Sequence, residues 1–280
     1  MESVVSPSEQ TVRRFGAETS VSVREEVRDL LAYGHLLYNL VLRDLTVRYK
    51  RSVIGFVWTM LNPLLLMIIF VIVFSALFRF EIRHYETYFL TAFLPWNFFA
   101  QATVGSMTSI GWNGGLMKHV KAPKSIYPLA STISGMVNLL LSFLPLALIM
   151  IVVGSPLHPS ILFLPISLII LGVFTFGVSL ALSSLAVYFT DVREMYGVAI
   201  SALMYLTPIM YPLSIVPERY LTFVKLNPLR YVIEIVRAPI YYGIIPPART
   251  LVIAVGLAVG ALVFGWFVFR RLSPRFYAHL

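Results

Sequence analysis

The chain contains no cysteine, which excludes disulfides, thiol nucleophiles and thiolate metal sites. Charge is scarce as well. Asp, Glu, Lys and Arg make up 12% of the 280 residues, against roughly 25% in soluble domains. Residues 125–190 carry none of the four. A soluble fold needs polar faces to end its core, so this stretch excludes one. No Gly-Lys-Ser or Gly-Lys-Thr triplet occurs, so the chain lacks a loop that cradles ATP phosphates. No D-D-x-x-D or H-x-x-x-H constellation is present for metal-dependent transfer chemistry. No secretory signal peptide is expected: the first long apolar run follows about 50 largely polar residues, and no small-residue cleavage site follows a short apolar core. The first span is expected to be a retained signal-anchor.

What remains is 58% hydrophobic, with net charge +9 from 22 bases and 13 acids. In this setting the excess base reads as cytoplasmic loops facing anionic lipid rather than as a nucleic-acid surface. Residues 1–22 lack a period and are expected to form a mobile tail. From 23 to 51, Val27, Leu31, Gly34, Tyr38, Val41 and Leu45 recur at helical spacing. This predicts an amphipathic helix in the cytoplasmic interface. Residues 52–280 are expected to be one transmembrane domain. The 27 residues from 52 to 78 are free of Asp, Glu, Lys and Arg, and such a helix rises about 40 Å against a hydrocarbon core of about 30 Å. Six spans are expected, at about 53–78, 88–110, 126–153, 160–187, 196–213 and 250–269. Gly154-Ser-Pro-Leu-His-Pro159 is the turn signal between the third and fourth.

Residues 214–249 break the pattern. Pro217, Pro228, Pro239, Pro246 and Pro247 interrupt them, and Glu218, Arg219, Lys225, Arg230, Glu234, Arg237 and Arg249 charge them. No uninterrupted stretch reaches the roughly 17 residues a span needs. Two re-entrant half-helices are expected there, enclosed by protein or water as irregular backbone at that depth requires. The fold class is all-α integral membrane, with both termini cytoplasmic. Bases flanking the membrane number eleven inside and seven outside, five of the seven in 214–249, where ionisable residues become functional candidates.

RDLTVRYKRSVIGFVWTMLNPLL, residues 43–65, resembles the opening segment of the permease subunit of ATP-binding-cassette exporters for polysaccharides and teichoic acids. The matching positions are Arg43-Asp44-Leu45, Arg48-Tyr49, Ser52, Ile54-Gly55, Trp58 and Pro63-Leu64. Asn113 to Ala130 is similar to that family's first cytoplasmic loop, with Ala122 in place of an aromatic before Pro123 and Lys124. Lys225 to Leu229 with Tyr231, Glu234 and Arg237 resembles its N-P-L…E…R segment, and Tyr188 to Val192 its loop after span 4, with Thr190 where Arg is common. The resemblance implies a bacterial cytoplasmic (inner) membrane protein of the O-antigen or teichoic acid export type. It implies two copies of the chain, two ATPase subunits holding ATP and Mg, no cofactor on this chain, and a conduit between the copies for a lipid-linked glycan or polyol phosphate.

Under that reading Met117, Lys118, Val120, Lys121 and Lys124, with Asp191 and Arg193, are candidates for coupling to the ATPase; the alternative for the basic loop is a plain topology signal. Arg48, Tyr49, Lys50 and Arg51 stand where a lipid-linked diphosphate would arrive, and Arg pairs bidentately with phosphate; again the alternative is topology. Aromatic surfaces with sparse hydrogen-bonding groups let sugars slide, so Trp58, Phe99, Gln101, Thr103, Ser106, Ser201, Tyr205 and Thr207 are conduit candidates. For the aromatics the alternative is an interfacial belt, into which Tyr88, Phe89 and Trp96 would also fall; for the hydroxyls it is helix-to-helix bonding. Glu234 and Arg237, three apart on one helical face, are expected to pair in the re-entrant segment. Two other function classes stand as alternatives. A membrane-embedded transferase on lipid-linked substrates would rely on Asp191 and Glu194, and an ion-coupled transporter would need acids inside spans, which none of the six has. Replacing Arg48 and Arg51 by Gln is expected to cut export while membrane insertion stays intact; full export would remove the phosphate-recognition role.

Overall fold

The computed structural model describes residues 23–49, 57–73, 82–120 and 122–278, and among these no strand occurs. The tail expected at 1–22 lies outside the described residues. Two helices come first, α1 (Val23–Ala32) and α2 (Gly34–Tyr49), with a turn at Tyr33. That turn corrects the expected stripe. Val41 and Leu45 of that stripe face the protein, beside Leu30, Tyr33, Leu37 and Leu40, whereas Leu31 and Tyr38 are exposed. A period counted across a turn aligns residues that point apart, because the helical phase restarts after it.

The rest is a bundle of α3 (Val57–Val71), α4 (Tyr85–Trp112), α5 (Gly114–His119), α6 (Ile126–Val153), α7 (Leu164–Tyr188), α8 (Asp191–Leu206), α9 (Glu218–Leu226), α10 (Pro228–Arg237) and α11 (Ala248–Leu272). Among the described residues, three helices are long and apolar enough to cross a membrane: α6, α7 with the 3₁₀ turn before it, and α11 with the 3₁₀ segment after it. The described α3 and α8 have 15 and 16 residues, about 23 Å each. The expected turn after α6 is present. Gly154 takes φ 72°, open to glycine without strain, and the Ser155 amide closes the helix on the Met150 carbonyl at 2.8 Å.

α4 is the central helix. Tyr85, Phe89, Phe93, Phe98 and Phe99 along it are buried, with Phe89 and Phe93 stacked at 5.1 Å and Phe99 on Phe174 at 5.6 Å. Tyr88 and Phe89 are therefore core residues and not an interfacial belt, and Trp96 packs half-buried against the same core. α6, α7 and α10 surround α4, and the composition of a single helix does not reveal what encloses it.

α7 and α11 pack with almost no separation. A Cβ on Gly265 would collide with the Gly177 carbonyl, and one on Gly177 with the backbone of Ala261 and Leu262. Small residues allow this approach, and dispersion between the two backbones holds the pair where lipid offers no hydrophobic drive. Gly265→Val is expected to destabilise the detergent-solubilised protein by about 3 kcal/mol or more through overpacking. Gly256→Ala and Gly260→Ala, which meet open space, are expected to leave the melting temperature unchanged.

Candidate functional site

α8 stops at Leu206, and the chain from Thr207 to Pro212 is not helical. Four consecutive carbonyls in this stretch lose their helical partners, and each finds a side-chain donor. Arg237 Nη1 donates to the Pro208 carbonyl at 2.9 Å and Nη2 to Ile209 at 3.1 Å. Tyr85 Oη donates to Met210 and Tyr88 Oη to Tyr211, both at 2.9 Å. Arg237 also donates to Tyr88 Oη at 3.2 Å and lies 4.0 Å from the centre of its ring. Its side chain is only 2% exposed. A buried guanidinium needs this many acceptors, because desolvation is otherwise uncompensated.

Local sequence explains how Arg237 arrives there. Asn227 caps α10 by accepting from the Leu229 amide at 3.0 Å, with Pro228 in the first turn. Asn227 Nδ2 reaches back to Thr207 Oγ1 at 2.8 Å, tying the cap to the start of the break. Leu229, Val232, Ile233 and Val236 bury one face of α10, which carries Arg237 inward at its last position. A π-helical turn, Ala238–Tyr242, follows. It is braced by Ser160 Oγ donating to the Pro239 carbonyl at 2.8 Å and by Tyr241 Oη donating to Arg83 at 2.7 Å. It ends at Gly243, φ 67°, against whose Cα the His158 ring packs. Glu234 stands 3.9 Å from Arg237, but the shorter bonds of the guanidinium go to the carbonyls and Tyr88. Beside the break lies an apolar groove of about 510 Å³, lined by Leu206, Tyr211, Val216, Tyr220 and Phe223 among others.

The other end of α4 leads into α5. Met117 is buried among Leu40, Ile126, Tyr127 and Phe276, while Lys118 and His119 are exposed and Val120 is half-buried. Met117 thus anchors the loop within the chain. Lys124 Nζ donates to the Ser273 carbonyl at 2.9 Å. Asp191 and Arg193 are exposed at the start of α8. Lys121, Lys50 and Arg51, and the side chains of Arg48 and Tyr49, lie outside the described residues. At the same end Arg43 Nη1 donates to Asn113 Oδ1 at 2.7 Å, and Ser125 Oγ donates to Glu26 Oε1. Burial pushes the Glu26 carboxyl above its ordinary range, partly offset by the Ser125 bond and by the charge of Arg270. A raised carboxyl favours the docked state below the ordinary carboxylate pKa and disfavours it as pH rises through the raised value.

The conduit candidates divide. Phe99, Thr103, Ser106 and Thr207 are buried. Thr103 bonds the Phe99 carbonyl and accepts from Tyr196 Oη at 2.7 Å, and Ser106 bonds the Ala102 carbonyl at 2.7 Å. These four are enclosed within the chain, packed on or bonded to its own helices. Gln101 is half-buried and bonded to Asn97. Trp58, Ser201 and Tyr205 are exposed. Sequence reasoning gave Asn113 and Asn227 only as parts of family segments, and Tyr85 and Ser125 no role. The Asn-Pro pair at 227–228 was a readable cap signal; the other three declare themselves only through distant partners.

The sequence profile of the ABC-2 type transporter matches residues 35–241, well over half of the chain. The chain belongs to the ABC-2 type transporter family. Its relatives within that family include the O-antigen export system permease protein RfbA of Klebsiella pneumoniae, 30% identical over 244 residues that cover 86% of this chain and 93% of the relative. RfbA of Myxococcus xanthus is 30% identical over 244 residues, covering 86% of this chain and 92% of the relative. The polysialic acid transport protein KpsM of Escherichia coli is 22% identical, covering 76% and 83%. The family match opens inside α2 and closes inside the π-helical turn. In this ABC-2 chain it therefore takes in both the α5 loop and the Arg237 clamp.

Arg237→Leu leaves the Pro208 and Ile209 carbonyls buried without donors, and about 3 kcal/mol of stability is expected to be lost. Tyr88→Phe should lose about 1 kcal/mol. Thermal unfolding in detergent measures both; equal melting temperatures for Arg237→Leu and the unaltered chain would show that the clamp holds nothing.

Proposed function

We propose that this chain is the permease subunit of an ATP-driven exporter that moves a lipid-linked polysaccharide from the cytoplasmic to the outer side of a bacterial inner membrane. One observation carries the reading: the similarity to permeases named for O-antigen export runs along 86% of the chain, both ends of the bundle included. In this reading ATP hydrolysis, with its Mg, belongs to a separate subunit, a view supported by the lack of a Gly-Lys-Ser/Thr triplet in this sequence. Relatives named for O-antigen and polysialic acid favour a sugar polymer over a polyol phosphate.

In this reading α3, α4, α6, α7, α8 and α11 are the six spans, both termini are cytoplasmic, and α9 and α10 dip into the membrane from the outer side. The α5 loop meets the ATPase through Lys118, Val120, Lys121 and Lys124, joined by Asp191 and Arg193. Trp112, Phe189 and Met195, exposed at 84%, 61% and 71%, enlarge that apolar contact. Arg48, Tyr49, Lys50 and Arg51 receive the diphosphate linker. Two copies enclose the conduit. Support for this comes from α8, an apolar helix on which only Ile200 is buried. Met195, Val198, Ser201 and Tyr205 follow one another along its exposed face. Ser201 and Tyr205 on that face, with Trp58 on α3, offer a sugar chain aromatic surface and sparse hydroxyls.

Purification in mild detergent through a tag on this chain is expected to bring down a Walker-motif ATPase in equal amount, with hydrolysis that responds to lipid-linked glycan. A chain that purifies alone from cells expressing its genomic neighbours would overturn the proposal. The chain has no cysteine, so single replacements report water access directly. S201C and Y205C are expected to react with a membrane-impermeant maleimide, and T103C and S106C to stay protected. Unreactive S201C and Y205C would put that face against lipid.

A further inference from the structure

α11 is the least enclosed of the three long apolar helices. One face packs on α7 through Gly265, with Ala254, Ala258 and Phe269 also buried. Val259, Val263, Phe264 and Phe267 are exposed, and a Cβ on Gly256 or Gly260 would meet open space. This apolar face runs into Arg270 and Arg271, which follow Phe267 by three and four residues and so stay on its side of the helix. Both are exposed, and so is Arg275 just beyond. The Arg271 guanidinium lies 5.2 Å from the centre of the Phe267 ring, which holds it at the end of the apolar face. Among the described residues none of the three arginines forms an ion pair. Arg270 is close enough to act on the charge of Glu26, but that carboxylate accepts from Ser125.

The arginines do not sit on a loose tail. Phe276, the residue after Arg275, is 0% exposed, its ring centre 5.6 Å from that of Phe269 and 6.2 Å from that of Tyr188. Tyr188 Oη donates to the Leu272 carbonyl at 2.7 Å, and Lys124 Nζ to the Ser273 carbonyl at 2.9 Å. The segment that carries Arg270, Arg271 and Arg275 is therefore held to the bundle before anything binds it, which lowers the entropy lost on binding. Arginine also matches phosphate oxygens with paired N–H donors. A purely apolar partner would leave three cations unanswered, and a soluble anion would leave the apolar face unused. An amphiphile with a phosphate head and acyl tails answers both. We infer that this end of α11 is a binding site for an anionic phospholipid, its phosphate on Arg270, Arg271 and Arg275 and an acyl chain along Val259, Val263 and Phe267. The site requires only that α11 crosses the membrane. Each arginine beside an anionic headgroup is worth roughly fivefold in affinity.

The test uses the full chain, purified in detergent with whatever it brings down and stripped of lipid. It is titrated with phosphatidylglycerol and with phosphatidylcholine, and native mass spectrometry counts the bound lipid. Phosphatidylglycerol is expected to bind more tightly by about tenfold or more, and R270Q/R271Q/R275Q to erase that preference. F267A keeps every charge, so it reports even where the glutamine variant fails to insert. It is expected to weaken phosphatidylglycerol about threefold, through loss of the ring under Arg271 and of acyl contact. K118Q/R193Q, which removes two exposed bases elsewhere, is expected to change affinity by less than about twofold, because solvent and salt screen distant charge. Equal affinity for the two lipids would overturn the inference, as would a preference that survives in R270Q/R271Q/R275Q or an unchanged affinity in F267A. An equal loss in K118Q/R193Q would reduce the effect to bulk charge and overturn it too. Displacement of the lipid by millimolar inorganic phosphate would give the arginines to a soluble anion instead. V259C or V263C chains that crosslink to each other on oxidation would give the apolar face to a second copy, and the lipid site would fall.

Discussion

Four carbonyls in a row set the main constraint on this molecule. Where α8 unwinds, Pro208, Ile209, Met210 and Tyr211 expose acceptors that neither lipid nor a neighbouring helix backbone satisfies. An unsatisfied carbonyl away from water costs several kcal/mol, so irregular backbone survives at membrane depth only with donors supplied. Arg237, Tyr85 and Tyr88 supply them from two different helices. The rest of that end follows from the need to deliver these donors: an Asn-Pro cap to start α10, a buried apolar face to seat it, a π-helical turn after Arg237, and Ser160, Tyr241 and His158 to brace the turn. The reward is a segment that is irregular yet held, next to an apolar groove and the exposed face of α8.

The bundle works by different physics along its length. In the middle, aromatic side chains of α4 fill space and α7 meets α11 backbone to backbone through Gly177 and Gly265. At the α5 end, charged side chains of α1 and α2 reach neutral partners at the loop hinges. That end is cross-tied, with three elements from the first and last parts of the chain meeting around Met117 and Phe276. Side chains of α2, α4, α6 and α11 pack together there. Thr103 of α4 bonds the Phe99 carbonyl and Tyr196, and Thr175 of α7 the Leu171 carbonyl, all within the chain.

Much of this was readable in the residues. Long uncharged runs gave the helices, Gly154 gave the turn, and the prolines of 214–249 gave two short helices instead of a span. The family was legible in Arg43–Leu65 and in Asn227-Pro228 with Glu234 and Arg237. Errors came where a side chain's role depends on something far away. Tyr88 resembles a belt residue until Arg237 stacks on it from a position 149 residues later. Leu31 left the face that Val41 and Leu45 keep because one turn at Tyr33 resets the phase between α1 and α2.

Hydropathy, charge placement and breaker residues act locally, and a bilayer reads them locally. A run of apolar side chains partitions by its own composition, whatever the remainder of the chain does. The all-helical class, the approximate helix limits and the membrane setting therefore follow from order along the chain. Partnership does not. Thr103 and Ser201 are both hydroxyl residues on apolar helices, yet one is sealed against Tyr196 and the other is exposed. Glu234 is the neighbour that helical spacing offers Arg237, yet the guanidinium binds Pro208 and Ile209. In each case the outcome is fixed by which acceptors and which volume the packed helices bring within reach, and that is a property of three-dimensional proximity, absent from any local stretch of residues.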